Sequence, residues 1–137
     1  MGKYAALIDQ LDVDAAAIEQ RRVARKTLVE ADGRAFPALS HALRRHESEC
    51  VRETVAEILG ERRHPKAVAP LIDALDDECE FVRQDAVWSI EMICRLQPSA
   101  LIDWLDLSPD LDDAKQKVAN WWATIRRYIE HNANLCS

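Results

Sequence analysis

Apolar residues recur along this chain at helical spacing. In the stretch VRQDAVWSI, Val82, Ala86, Val87 and Ile90 fall at i, i+4, i+5 and i+8, one stripe of an amphipathic helix. Ahead of them Leu71, Ala74 and Leu75 fall at i, i+3 and i+4, a second short helical stripe. The layout repeats one unit earlier. Leu39-Ser40-His41-Ala42-Leu43 lies 32 residues before Leu71–Leu75, and Val51-Arg52, opening VRETVAEILG, lies 31 before Val82-Arg83. Fainter copies flank these units, with Leu7–Leu11 32 residues before Leu39 and Leu101–Leu105 30 after Leu71. The pattern predicts about four units of about 30 residues, each a pair of helices. Short linkers make each pair antiparallel. One pair cannot bury its stripes alone, so the units must stack. The predicted fold is an all-α solenoid of about four antiparallel helical hairpins.

Boundary residues agree with this division. Pro37 and Pro65 sit near helix starts, where a missing N–H costs little. Gly60 is expected to end the second helix of its unit. Asp76-Asp77-Glu78 marks the next turn and places acid at a helix N-terminus. Pro98 is expected to stop the helix that starts near Cys79. Ser108-Pro109-Asp110 reads as the start of a last helix running to about His131, with 132–137 fraying.

The stretches AFPALSHAL, VRETVAEILG and AVAPLIDALDDECEFVRQDAVWSI resemble HEAT-like repeats, and more narrowly the short type named after phycobilisome bilin lyases. The likeness is good over about 35–97. It implies one repeat domain over 1–137, with divergent end units at about 1–34 and 98–137. It also implies that the Val-Arg arginines act as struts to acidic turn residues. Asp77 and Arg83 match that pattern. Arg52 matches too, but its own turn offers only Glu47 or Glu49 as an acid.

Few turn residues (3 Gly, 5 Pro) and no alternating β-branched runs argue against strands. The net charge of -6 is uneven. Residues 1–68 carry 12 Lys and Arg against 11 Asp and Glu, while 69–137 carry 6 against 13. An acidic second half argues against nucleic acid or an anionic membrane there. No apolar run nears the ~18 residues of a membrane span, and MGKYAALIDQLD is no secretory signal. Cys50, Cys79, Cys94 and Cys136 form no C-x-x-C pair and read as reduced thiols of a cytoplasmic protein.

Enzyme signatures are missing. Deoxyhypusine hydroxylase, an iron enzyme, resembles this repeat but carries His-Glu pairs where this chain has Glu53-Thr54 and Gln84-Asp85. There is no phosphate-binding glycine loop and no G-x-S-x-G. Cys50 near His41 or His46 is the nearest approach to a nucleophile–base couple. No catalytic residue, cofactor or metal is therefore expected. Arg21, Arg22, Arg25 and Lys26 form a basic run joined by Arg34, Arg44, Arg45, Arg62, Arg63 and Lys66, but Arg44-Arg45 and Arg62-Arg63 end first and second helices and so fall on opposite edges of an antiparallel stack, which argues against a single nucleic-acid stripe.

Second helices are expected to line the concave face, exposing Glu53, Glu57, Gln84 and Trp88 between the buried stripes, with Gln116 and Asn120 in the last unit. Trp88 stands at the repeat position of Glu57. It is either a binding anchor or packs near Trp121, while Trp104, Trp121 and Trp122 seal the stack. The expected function is a non-enzymatic scaffold or adaptor that binds a protein partner on this face, with an arginine or apolar segment as complement. The alternative, from the resemblance alone, is a bilin-lyase-like chaperone for a tetrapyrrole or its carrier. Nucleic-acid binding by the basic N-terminal half is a third reading.

Overall fold

The computed structural model describes residues 2–14, 16–96 and Gln116. The expected stop at Pro98, the last helix, Asn120 and the seal by Trp104, Trp121 and Trp122 lie outside the described residues. Gln116 is helical and exposed.

Helices α1 (Gly2–Asp9) and α2 (Ile18–Glu30) form the first pair, α3 (Phe36–Arg45) and α4 (Glu49–Arg62) the second, and α5 (Val68–Asp73) and α6 (Glu80–Leu96) the third. Within each pair the two helices touch. Between pairs α1 packs on α3 and α3 on α5, while α2 packs on α4 and α4 on α6. The result is two layers of helices, first helices in one and second helices in the other, with no strand among the described residues.

The predicted stripes form the seam between the layers. Leu39, Ala42 and Leu43 of α3, Leu71 of α5 and Ala74 just beyond it are buried, as are Val82, Ala86, Val87 and Ile90 of α6. Val68 and Ile72 join them, because α5 is central enough to be covered on more than one side. The core is continuous from Ile8 and Leu11 to Ile93, as stacking requires.

Local chemistry sets the turns. Ser48 Oγ accepts the Val51 N–H (3.3 Å) at the start of α4. His64 Nδ1 accepts the Lys66 N–H (3.1 Å) where Pro65 opens a 3₁₀ turn into α5. Asp77 Oδ1 accepts the Cys79 N–H (2.9 Å) before α6.

Gly60 does not end its helix. α4 continues to Arg62, and Arg63 takes the left-handed turn at φ 58°. Gly60 instead lets α6 approach. A Cβ there would lie 2.6 Å from Ser89 Cβ and 2.9 Å from its Cα, too close for any side chain. Ser89 is fully buried, and its hydroxyl donates to the Ala56 carbonyl of α4 (2.7 Å).

Arginines tie the units together. Arg52 is 6% exposed. It grips Asp77 in the next unit through Nε–Oδ2 (3.0 Å) and Nη2–Oδ1 (3.2 Å). Its Nη1 donates to the carbonyls of His46 (2.8 Å) and Glu47 (3.3 Å). The acid in its own turn is not needed, because the strut reaches forward one repeat. Arg83 donates to the Asp77 carbonyl (2.6 Å), not to its carboxylate. Arg62 reaches back one unit to the carbonyls of Leu28 and Ala31 (both 2.7 Å) and Asp32 (2.9 Å). It thereby satisfies acceptors that the end of α2 leaves open.

Candidate functional site

The second-helix layer presents its side chains in rows set by the repeat. Arg25 of α2, Glu57 of α4 and Trp88 of α6 stand 32 and 31 residues apart. Arg21, Glu53 and Gln84 form the parallel row at the same offsets. Glu53, Glu57 and Trp88 are half-buried and Gln84 is exposed.

Arg25 crosses from α2 to α4. It holds Glu61 through two bonds (Nη1–Oε2 3.1 Å, Nη2–Oε1 2.7 Å) and Glu57 through one (Nη2–Oε2 3.0 Å). A bidentate guanidinium–carboxylate pair is stronger and better directed than a lysine contact would be.

Asp85 completes the site. It occupies the repeat position of Thr54, and the close approach of α6 to α4 brings it against the glutamates. One carboxylate oxygen each from Glu53, Glu57 and Asp85 lies within 4.8 Å of the others. Burial pushes the Asp85 carboxyl up to about 7, with the charges of Glu57 and Glu53 and hydrogen bonding to them adding to the effect. Burial also raises Glu53, helped by the charge of Glu57 and opposed by its hydrogen bond with Asp85. Near neutral pH a proton is therefore held mainly on Asp85. Asp85 Oδ2 is buried with no hydrogen-bond partner. Beside this cluster a cleft of about 300 Å³ is lined by Glu57, Gln84, Asp85 and Trp88.

The four residues expected to bind a partner thus stand in adjoining rows; among the described residues Glu57, Gln84 and Trp88 line the cleft and Glu53 does not. Asp85 is not among the residues that the sequence assigns to this face, since its repeat position matters there only as part of a His-Glu pair that this chain lacks. Its signal was the carboxylate facing Glu53 and Glu57 from a neighbouring helix, legible only once the stagger of α4 and α6 is known. The trio could hold a cation by its oxygens, but Glu57 already faces Arg25.

Cys50 and His46 are each engaged elsewhere. His46 Nδ1 accepts the Ser48 N–H (3.1 Å), so its Nε2 carries the proton and donates to Asp9 (2.8 Å). The Cys50 thiol points to the Leu11 carbonyl (3.9 Å). Three of the basic residues are bound within the fold: Arg25 and Arg62 as above, and Arg44 to Asp73 (3.2 Å). A larger cleft of about 460 Å³ lies between α1 and α3, floored by Ala5, Ile8, Ala38 and Ala42. No described helix is long and apolar enough to cross a membrane.

No curated protein matches the chain. The model of the family described as HEAT repeats matches it twice, over residues 4–91 and 36–119. That match is to HEAT repeats in general and does not single out the bilin-lyase type. Two-layered stacking of helical pairs, inter-unit arginine struts and a family match over most of the length agree: the chain belongs to the HEAT-repeat family.

Proposed function

We propose that this protein is a non-enzymatic adaptor that engages a protein partner through its second-helix face. HEAT repeats are protein-interaction scaffolds in general. The finer reading places the partner over Glu53, Glu57, Gln84 and Trp88. The observation that carries it is the half-buried Trp88 in a carboxylate-lined cleft, at a position where the repeat otherwise has a charged residue. An amphipathic aromatic beside an unsatisfied carboxyl oxygen is the composition of an interface centre. The unpaired thiols of Cys50 and Cys79 support a reducing, cytoplasmic setting.

Site-specific photo-crosslinking tests this. A crosslinking residue at Gln84 is expected to capture one discrete partner in source cells, and the same residue at exposed Arg34 is not. Capture from position 34 alone, or capture from 84 unaffected by Trp88→Ala in a folded protein, would sink the assignment. The tetrapyrrole alternative rests on the repeat's resemblance alone.

A further inference from the structure

The cleft between α4 and α6 holds more negative charge than the described residues answer. Arg25 is divided between Glu57 and Glu61. Among the described residues no lysine or arginine lies within ion-pair distance of Glu53 or Asp85. Asp85 Oδ2 is out of water with no donor, a costly state for a carboxyl oxygen. The cleft is also lined by Trp88 and by Gln84, whose amide nitrogen donates to Glu80 (3.2 Å).

This combination selects among cations. A hard divalent ion wants about six oxygens, gains nothing from an indole, and would sit beside Arg25. A guanidinium is planar, carries its donors in a fork that fits carboxylates, and stacks on aromatic faces. The same face already accepts one, since Arg25 spans the neighbouring carboxylates Glu57 and Glu61 at 2.7–3.1 Å. An apolar segment would leave the Asp85 and Glu53 oxygens unanswered.

We propose that the cleft between α4 and α6 receives an exposed arginine of the protein partner, its guanidinium bonded to Asp85 and Glu53 and flanked by Trp88. This rests on the second-helix face being the interaction face. In the bound state the incoming N–H groups supply the donors that Asp85 lacks.

The test uses the full chain and two synthetic peptides of equal length, one alternating arginine with alanine and one with citrulline in place of arginine. Binding is read by ¹H–¹⁵N NMR at physiological salt. The expected result is saturable shifts of the Trp88 indole N–H and the Gln84 and Asp85 amides with the arginine peptide, and no such shifts with citrulline. The Glu53→Gln/Asp85→Asn double variant should weaken binding about tenfold or more, as loss of charge-assisted bonds requires. Asp14→Asn/Glu30→Gln, which changes net charge equally at exposed sites, should leave it unchanged. Equal shifts with both peptides, equal weakening by the control pair, or shifts confined to other acidic regions would overturn the inference. So would site-specific Mn²⁺ broadening at these residues with no response to the arginine peptide. If the peptide fails while crosslinking from position 84 still captures a partner, the interaction face stands and the arginine assignment falls.

Discussion

Replacing Asp85 with asparagine should change how stability depends on pH, and in a direction opposite to most acids. A typical surface-paired carboxylate is lowered by folding and stabilises the native state above its unfolded value. Asp85 is raised, from an ordinary 3.8 to about 7, chiefly by burial and then by Glu57 and Glu53. The folded state therefore holds a proton that the unfolded state releases. Its contribution is full below about pH 4, declines as pH rises, and levels off above about pH 7. At 1.36 kcal/mol per tenfold change in proton affinity, an unscreened group would lose about 4 kcal/mol across that window. Asp85 keeps partial contact with water, and screening reduces the expected loss to about 1–2 kcal/mol. The asparagine side chain has no proton to lose, and its amide can donate to Glu53 and Glu57. The variant should thus be more stable than the parent by about 1–2 kcal/mol near pH 8, with the gap closing toward pH 5. Urea unfolding followed by far-ultraviolet circular dichroism, at matched pH steps for both proteins, measures the difference directly. Acids elsewhere cancel in the comparison. Parallel stability curves between pH 5 and 8, or a variant less stable than the parent at pH 8, would refute the raised Asp85 carboxyl.

Other consequences follow from the struts and the close helix approach. Arg52→Ala strands the Asp77 carboxylate and two turn carbonyls in a site where the arginine side chain is 8% exposed, and should cost about 3–5 kcal/mol by chemical unfolding. Arg52→Lys should recover less than half of that, since an ammonium cannot reproduce the fork; full rescue would mean that charge alone matters. Gly60→Ala should destabilise by about 1–3 kcal/mol despite alanine's better helix propensity, because α6 must move; a stabilised variant would show that the contact with Ser89 yields freely.

The repeat made the architecture legible. Period and offset reported which residues face the seam, and Val82, Ala86, Val87 and Ile90 are all buried there. Features that depend on one unit's position against the next were not legible. Arg52 finds its acid 25 residues on in the following turn, and Arg62 finds carbonyls more than 30 residues back. Gly60 carries a second ambiguity. Glycine serves both as a helix stop and as a place for close backbone approach, and only the presence of Ser89 opposite decides between them. Asp85 was hidden for the same reason as the struts. Its meaning lies in the stagger between α4 and α6, while its own unit marks it as the counterpart of Thr54 in a His-Glu position that lacks the histidine.

The claim at the centre is that a partner lies across the second-helix face. Hydrogen–deuterium exchange of the complex with the crosslink-identified partner tests it most directly. The account predicts added protection in the peptides spanning Glu53–Glu57 and Gln84–Trp88, with α1, α3 and α5 unchanged. Protection confined to the first-helix layer, with those two segments unaltered, would contradict it.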